Sequence, residues 1–360
     1  MKLIVVTALM VLLACSGLIA DQDRQNVIEV EQLPKMPVAM ANNSVALLAG
    51  GNDISIYSFL GLESGKTWKD ASSLAMQYTA SGDVSSGTWR ELDPVPGEQG
   101  RLASSAVTAN GDVYLFGGYT VASDGSEEST LEVFRMDRES GRMIPFTTMP
   151  IPVEDSVLGV YNDRWIYMIS GWHDVGNVNL VQVLDVKSSE WTQATQYPGS
   201  PVFGHAGGIA EDTIVVCDGV RIEYQAEPQP RKFLPSDECW KGIISKENHR
   251  RIDWRRIDPH PGLPLYRMAA GHDGSGRIWF AGGSDNPYNF NGIGYDGRPS
   301  EPVADVFSYN VKSDAWEQHG KLSVATMDHR GLLHHDGWFY IVGGMRSGQK
   351  VTSELIRFKP

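Results

Sequence analysis

The sequence predicts an all-β protein, a six-bladed β-propeller. Two observations carry this reading. An apolar, β-branched and aromatic string ending in glycine occurs six times, as IYSFLGL from Ile56, VYLFGGY from Val113, IYMISGW from Ile166, IVVCDGV from Ile214, IWFAGGS from Ile278 and FYIVGGM from Phe339. The copies are spaced 57, 53, 48, 64 and 61 residues apart, a period too long for a single strand and right for a four-stranded unit. In addition, Asn26–Pro37 (NVIEVEQLPKMP) resembles the outer-strand stretch TWRELDPVP that begins at Thr88.

Each string reads as a strand buried on both faces, with an exit after it where a Cβ does not fit. Ahead of five of them stand tight hairpin turns, at Asn110-Gly111, Asn162-Asp163, Glu211-Asp212, Asp273-Gly274 and Asp336-Gly337. Third strands are expected at 131–137, 180–186, 304–310 and 353–359. Fourth strands open near Trp89, Trp191, Trp254 and Trp316, with Phe146 in the tryptophan's place in the second unit. The last unit lacks a fourth strand, which the N-terminal segment supplies. That closes the ring and removes an open sheet edge.

Residues 1–20 carry one basic residue, Lys2, followed by an apolar run from Leu3 to Leu13 that is too short to span a bilayer. They read as a secretory signal, leaving 21–360 as one propeller domain. Cleavage after Ala20 and a lipobox ending at Cys15 both fit, so the expected destination is the periplasm or the exterior. Any membrane attachment would be through a lipid on Cys15. Cys217 and Cys239 remain, and an oxidising compartment suggests one disulfide, two separate buried thiols being the alternative.

The chain has 31 Lys and Arg against 44 Asp and Glu, a net charge of −13, which argues against nucleic acid as a partner. No zinc spacing, phosphate-binding loop or dinucleotide fingerprint occurs, and neither a metal nor another cofactor is expected.

In such a blade the second-to-third loops share a face with the connections between blades, and here that face carries all the long segments. Length asymmetry marks it as functional. Its loops offer Lys66, Trp68, Trp172, His173, Asn177, Asn179, Asp285, Asn286, Tyr288, Asn291, Tyr295 and Arg346 as substrate-binding candidates. Aromatic faces stack on sugar C–H patches while Asn and Asp satisfy hydroxyls. The blade connections add Arg101, Asp155, Arg267 and Arg330, with Asp328, His329 and His205 as acid–base candidates. The arginines have two readings, bracing of neighbouring blades and recognition of an anionic ligand.

The apolar run with Gly-Gly at 117–118, 282–283 and 343–344, the tyrosine at its second position and the tryptophan opening the fourth strand resemble kelch repeats over residues 26–360. With FAGG at 280–283, the Asn/Tyr/Gly-rich insertion after it and IVGG near the C-terminus, the chain further resembles the bacterial N-acetylneuraminate epimerase (sialic acid mutarotase) family. The resemblance implies a kelch-type propeller that binds an acidic sugar and interconverts its anomers through a glutamate and an arginine. The fourth repeat, 220–244, departs from the family pattern. A non-catalytic propeller binding a glycan or a protein is the alternative.

Overall fold

The structure is a computed structural model that describes residues 26–226 and 228–360. The expected leader, with Cys15, lies outside the described residues.

Six sheets of four antiparallel strands form the blades of the expected kelch-type ring, the fifth of them extended by one more strand that pairs in parallel. Their innermost strands are Ser44–Gly50, Ser105–Ala109, Val157–Tyr161, Ala206–Ala210, Ala269–His272 and Leu333–His335. The glycine-terminated strings are the second strands, paired on both sides. Outer strands hold Trp89, Phe146, Trp191, Trp254 and Trp316 as expected. Phe146 packs edge-on against Tyr114 at 5.3 Å, much as Trp316 packs on Tyr309 at 4.9 Å.

The ring closes as the sequence predicts. Glu31–Leu33 pairs antiparallel with Leu355–Phe358 and completes the sixth blade. Just before it, Val27–Ile28 pairs in parallel with Lys321 and Leu322 of the fifth blade, a second clasp that the sequence did not suggest. Gly320 admits it, since a Cβ there would lie 2.0 Å from the Asn26 carbonyl.

The glycine doublet explains its own degeneracy. Its first position is left-handed in every blade, and Leu60, Ser170 and Asp218 adopt φ of 58°, 54° and 66° where the other three blades have Gly. The second position is always Gly. A Cβ on Gly61, Gly118, Gly171, Gly219, Gly283 or Gly344 would approach the carbonyl of Ala41, Leu102, Glu154, Phe203, Tyr266 or Met327 to within 2.6–3.1 Å. At the first position Leu60, Ser170 and Asp218 bear about 1–2 kcal/mol of backbone strain, while a Cβ on Gly117, Gly282 or Gly343 would lie 2.9, 2.3 or 2.1 Å from the carbonyl of Thr130, Thr326 or Met40. The second position meets a carbonyl in all six blades.

Those six carbonyls belong to residues that bridge to the start of the following loop, as in Leu102 with Tyr119, Glu154 with Trp172 and Phe203 with Val220. The next residue in each blade is left-handed again: Asn42, Ala103, Asp155, Gly204, Arg267 and Asp328. Hydrogen bonds run between these positions around the axis. Asp155 N–H donates to the Ala103 carbonyl at 3.0 Å, Gly204 to Asp155 at 2.9 Å, Arg267 to Gly204 at 2.9 Å and Asn42 to Asp328 at 3.1 Å. This collar narrows the propeller axis and separates a pocket on the long-loop face from a channel lined by the innermost strands.

Candidate functional site

Three collar positions carry charge, and together with Arg330 they form one buried network. Arg267 donates Nε and Nη2 to Asp155 Oδ2, at 3.1 and 2.7 Å, and Nη1 to Asp328 Oδ1 at 3.1 Å. Arg330 Nη1 binds the other Asp155 oxygen, and Asn42 Nδ2 donates to Asp328 at 3.1 Å. The four side chains of these three ion pairs are at most 4% exposed. Although burial opposes ionisation, Arg267 and Arg330 hold the Asp155 carboxyl below the usual aspartate range. Arg267 and Arg330 therefore brace blades through Asp155 and Asp328, the first of the two readings of these arginines.

Above the collar lies the loop-face pocket, about 300 Å³. Its floor is Glu154, Asp155 and Arg267, and its walls are Tyr119, Trp172, Phe203, Phe233 and Tyr295. The long loops fold into short ribbons that stand around it: Tyr119–Val121 with Glu127–Ser129, Trp172–His173 with Gly176–Asn177, and Val220–Glu223 with Lys232–Pro235. Tyr295 stacks on Phe233 at 4.1 Å, and Phe233 on Trp172 at 6.1 Å, giving one aromatic wall.

Beside the paired Asp155 and Arg267 of the floor, the pocket's carboxyl and guanidinium groups are Glu154, Glu127 and Arg231. Glu154 is fixed through its backbone, which exchanges both hydrogen bonds with Trp172, so its side chain is directed by the blade and not by a mobile loop. Burial drives its carboxyl well above the usual glutamate range; a hydrogen bond from Ser129 opposes this, and the charges of Asp155, Glu127 and Asp174 add to it. Glu154 Oε2 is buried without a partner among the described residues. Glu127 is raised too, desolvation by the surrounding loops outweighing Arg267 and Arg231, although the residue is exposed at the surface. The exposed Arg231 places its guanidinium 4.9 Å from the Trp172 ring and 5.3 Å from Phe233, and donates one N–H to the Val175 carbonyl.

Of the residues expected from sequence, Asp155, Trp172, Arg267 and Tyr295 meet in this pocket. Tyr288 lies behind it, fully buried, edge-on to Tyr266 at 5.0 Å with Arg267 over its ring. The rest serve elsewhere. Lys66 donates to the Gln349 carbonyl, and Trp68 stands half exposed beside Lys69. Arg101 pairs with Glu132 at 3.2 Å in a separate groove of the second blade, so the three arginines do not converge. Asn177 ties the Pro201 and Val220 carbonyls together, and the Asn179 carbonyl accepts from Tyr197 N–H. His173 sits 3.6 Å from Asp174, Asp285 is exposed, Asn286 binds Asp296 and Asn291 caps its own turn at Ile293. Arg346 is neutralised by two bonds to Glu354.

The expected acid–base groups need correction. Asp328 Oδ1 is held by Arg267 and Asn42, and its Oδ2 is buried without a partner among the described residues, beneath the pocket and not lining it. His205 and His329 line the channel below the collar, not the pocket. His205 Nε2 contacts the Ile169 carbonyl at 2.8 Å, and His329 Nε2 the Thr326 hydroxyl at 2.7 Å. Burial pushes them down to about 4 and about 3, so both rings are neutral.

Sequence reasoning passed over Glu127, Arg231, Phe233 and Asn289 and gave Glu154 no role. For Glu154 a signal existed. Aligned by repeat, the bridging position reads Ala41, Leu102, Glu154, Phe203, Tyr266, Met327, one carboxylate among five apolar residues.

Cys217 and Cys239 are directly opposed on neighbouring strands and bonded, at the two ends of the fourth blade's long loop. Among the described residues no group of His, Cys, Asp and Glu is arranged to hold a metal, and no helix is long and apolar enough to cross a membrane.

Fold and loop face together define a kelch-type β-propeller with an acidic, aromatic pocket over its axis. No protein-family model matches the chain. It is similar to Kelch-like protein 15 of Homo sapiens, 21% identical over 287 residues that cover 76% of this chain and 43% of that protein. Kelch-like protein 15 of Gallus gallus is 24% identical over 184 residues, covering 47% and 36%. The chain thus spans less than half the length of these relatives. Among solved structures, that of YjhT matches with a TM-score of 0.70 at 17% identity, over 91% of this chain and 97% of that one. These likenesses concern the fold.

Proposed function

We propose that this chain binds an acidic sugar in the loop-face pocket and accelerates interconversion of its anomers. The observation that carries the reading is Glu154, a buried carboxyl that burial drives well above the usual glutamate range, set against an aromatic wall, with the second carboxyl of Glu127 lining the same small pocket. Two carboxyls in unlike environments divide acid from base work. Glu154 gives its proton to the ring oxygen as the ring C–O bond breaks. Ionised Glu127 takes the proton of the anomeric hydroxyl, leaving the open-chain carbonyl. Rotation about the adjoining C–C bond and the reverse transfers close the ring on the other face, with no net change in protons. The wall of Trp172, Phe233 and Tyr295 suits the apolar face of a pyranose. Arg231 presents N–H groups to the substrate carboxylate. Export is part of this reading. The bonded Cys217 and Cys239 support an oxidising compartment, for which residues 1–20 are the address.

Tyr224 and Val175, 70% and 76% exposed on the rim, favour a second reading, a non-catalytic surface for a glycan or protein. One-dimensional proton NMR separates the two. Freshly dissolved N-acetylneuraminate should reach anomeric equilibrium faster with protein than without. An unchanged rate with broadened ligand signals leaves binding alone, and no change in either removes this sugar from consideration.

A further inference from the structure

Below the collar, the innermost strands enclose an axial channel of about 300 Å³, and Arg330 is one of the residues that line it. The two collar arginines differ in how their donors are used. Arg267 has its Nε and Nη2 edge on Asp155 and its Nη1 on Asp328. Arg330 uses Nη1 alone, on Asp155, and its Nε and Nη2 are buried without a partner among the described residues, in a side chain only 4% exposed. These two N–H groups form the edge of the guanidinium that takes a carboxylate through two parallel hydrogen bonds. Buried donors are rarely left unpaired, and a charged one costs most. The Ser156 hydroxyl, on the same channel wall, is likewise buried and unpartnered. Nothing of the loop-face pocket reaches this point, because Asp155 and the collar intervene.

We propose that the Nε/Nη2 edge of Arg330, with the Ser156 hydroxyl, binds a small carboxylate that enters the axial channel from the short-turn face. The site is separate from the loop-face pocket, and it does not depend on the sugar reading. The channel is open enough for a two- or three-carbon acid. It is walled by strand backbone and by His205 and His329, whose neutral rings do not compete as cations.

Acetate is the probe, followed by saturation-transfer NMR of its methyl group on the full domain at fixed ionic strength. Saturable binding is expected, displaced by nitrate, which matches the planar fork, far more effectively than by chloride. Arg330→Lys, which keeps the charge and loses the fork, should weaken acetate at least tenfold, and Ser156→Ala several-fold. Arg298→Ala, at an exposed arginine that pairs with Asp296 and lines neither cavity, should leave acetate binding unchanged. Non-saturable transfer, equal binding in Arg330→Lys, or loss in Arg298→Ala would each overturn the assignment. Where Arg330→Lys does not fold, the nitrate against chloride comparison on the unaltered protein decides: equal displacement overturns it.

Discussion

Arg267 donates two hydrogen bonds to a single oxygen of Asp155, from a side chain 112 residues away in sequence and two blades around the ring. With Asp328 on its remaining arm, this arginine joins the third, fifth and sixth blades at the axis. Desolvating such a group is tolerable only because each charge is met, and removing one partner leaves the others buried and uncompensated.

Arg267→Ala should therefore destabilise the domain by about 3–5 kcal/mol. Arg267→Lys should recover little of this, since a point charge cannot reach both carboxylates with the geometry of the fork. Urea denaturation followed by tryptophan fluorescence measures both. A loss below 1 kcal/mol would mean that the pairs do not brace the ring.

Glu154→Gln separates chemistry from stability. Burial favours the uncharged form of Glu154, so its amide should be tolerated, with an unchanged or slightly higher melting temperature. Anomer interconversion should fall about 100-fold or more, the usual scale for losing a positioned acid. Equal rates in the variant and the parent would remove Glu154 from the reaction.

His205 and His329 predict the acid limb of the stability profile. Both are neutral in the fold, with values near 4 and 3, against about 6.5 when unfolded. Below pH 6.5 the unfolded chain binds protons that the folded one refuses. Their contribution is complete above pH 6.5 and is lost as pH falls, by about 1.4 kcal/mol per unit for each histidine. His205→Gln should flatten this slope between pH 6.5 and 4, whatever its effect at pH 7. An unaltered slope in denaturation curves across that range would contradict the assignment.

Gly171 links fold and pocket. Its φ is +115°, and an added Cβ would lie 2.6 Å from the Glu154 carbonyl, inside the bridge that holds Glu154 against Trp172. Gly171→Ala should cost about 2 kcal/mol or more and lower activity as well, because the carboxyl and the aromatic wall shift together. Stability and interconversion rate measured on one preparation test the coupling. Normal activity in a destabilised variant would show that the pocket tolerates the shift.

The amino-acid sequence by itself determined the propeller, the number of blades and the strand that closes the ring. Those depend on local patterns repeated six times: a two-sided apolar strand, a left-handed turn, and a glycine where a carbonyl leaves no room for Cβ. The same repetition carried the signal for Glu154, because a carboxylate at a position otherwise apolar breaks the pattern. Which ionisable groups share a space was decided only by the tertiary structure. Asp155, Arg267, Asp328 and Arg330 occupy the blade connections in much the same way, and nothing local says that two pairs neutralise one another while His205 and His329 fall below the collar. Arg231, Phe233 and Glu127 come from loops outside the repeat, where no periodicity constrains them. Their meeting over the axis results from ring closure, which brings segments more than a hundred residues apart to one mouth and sets the charge that each side chain can hold there.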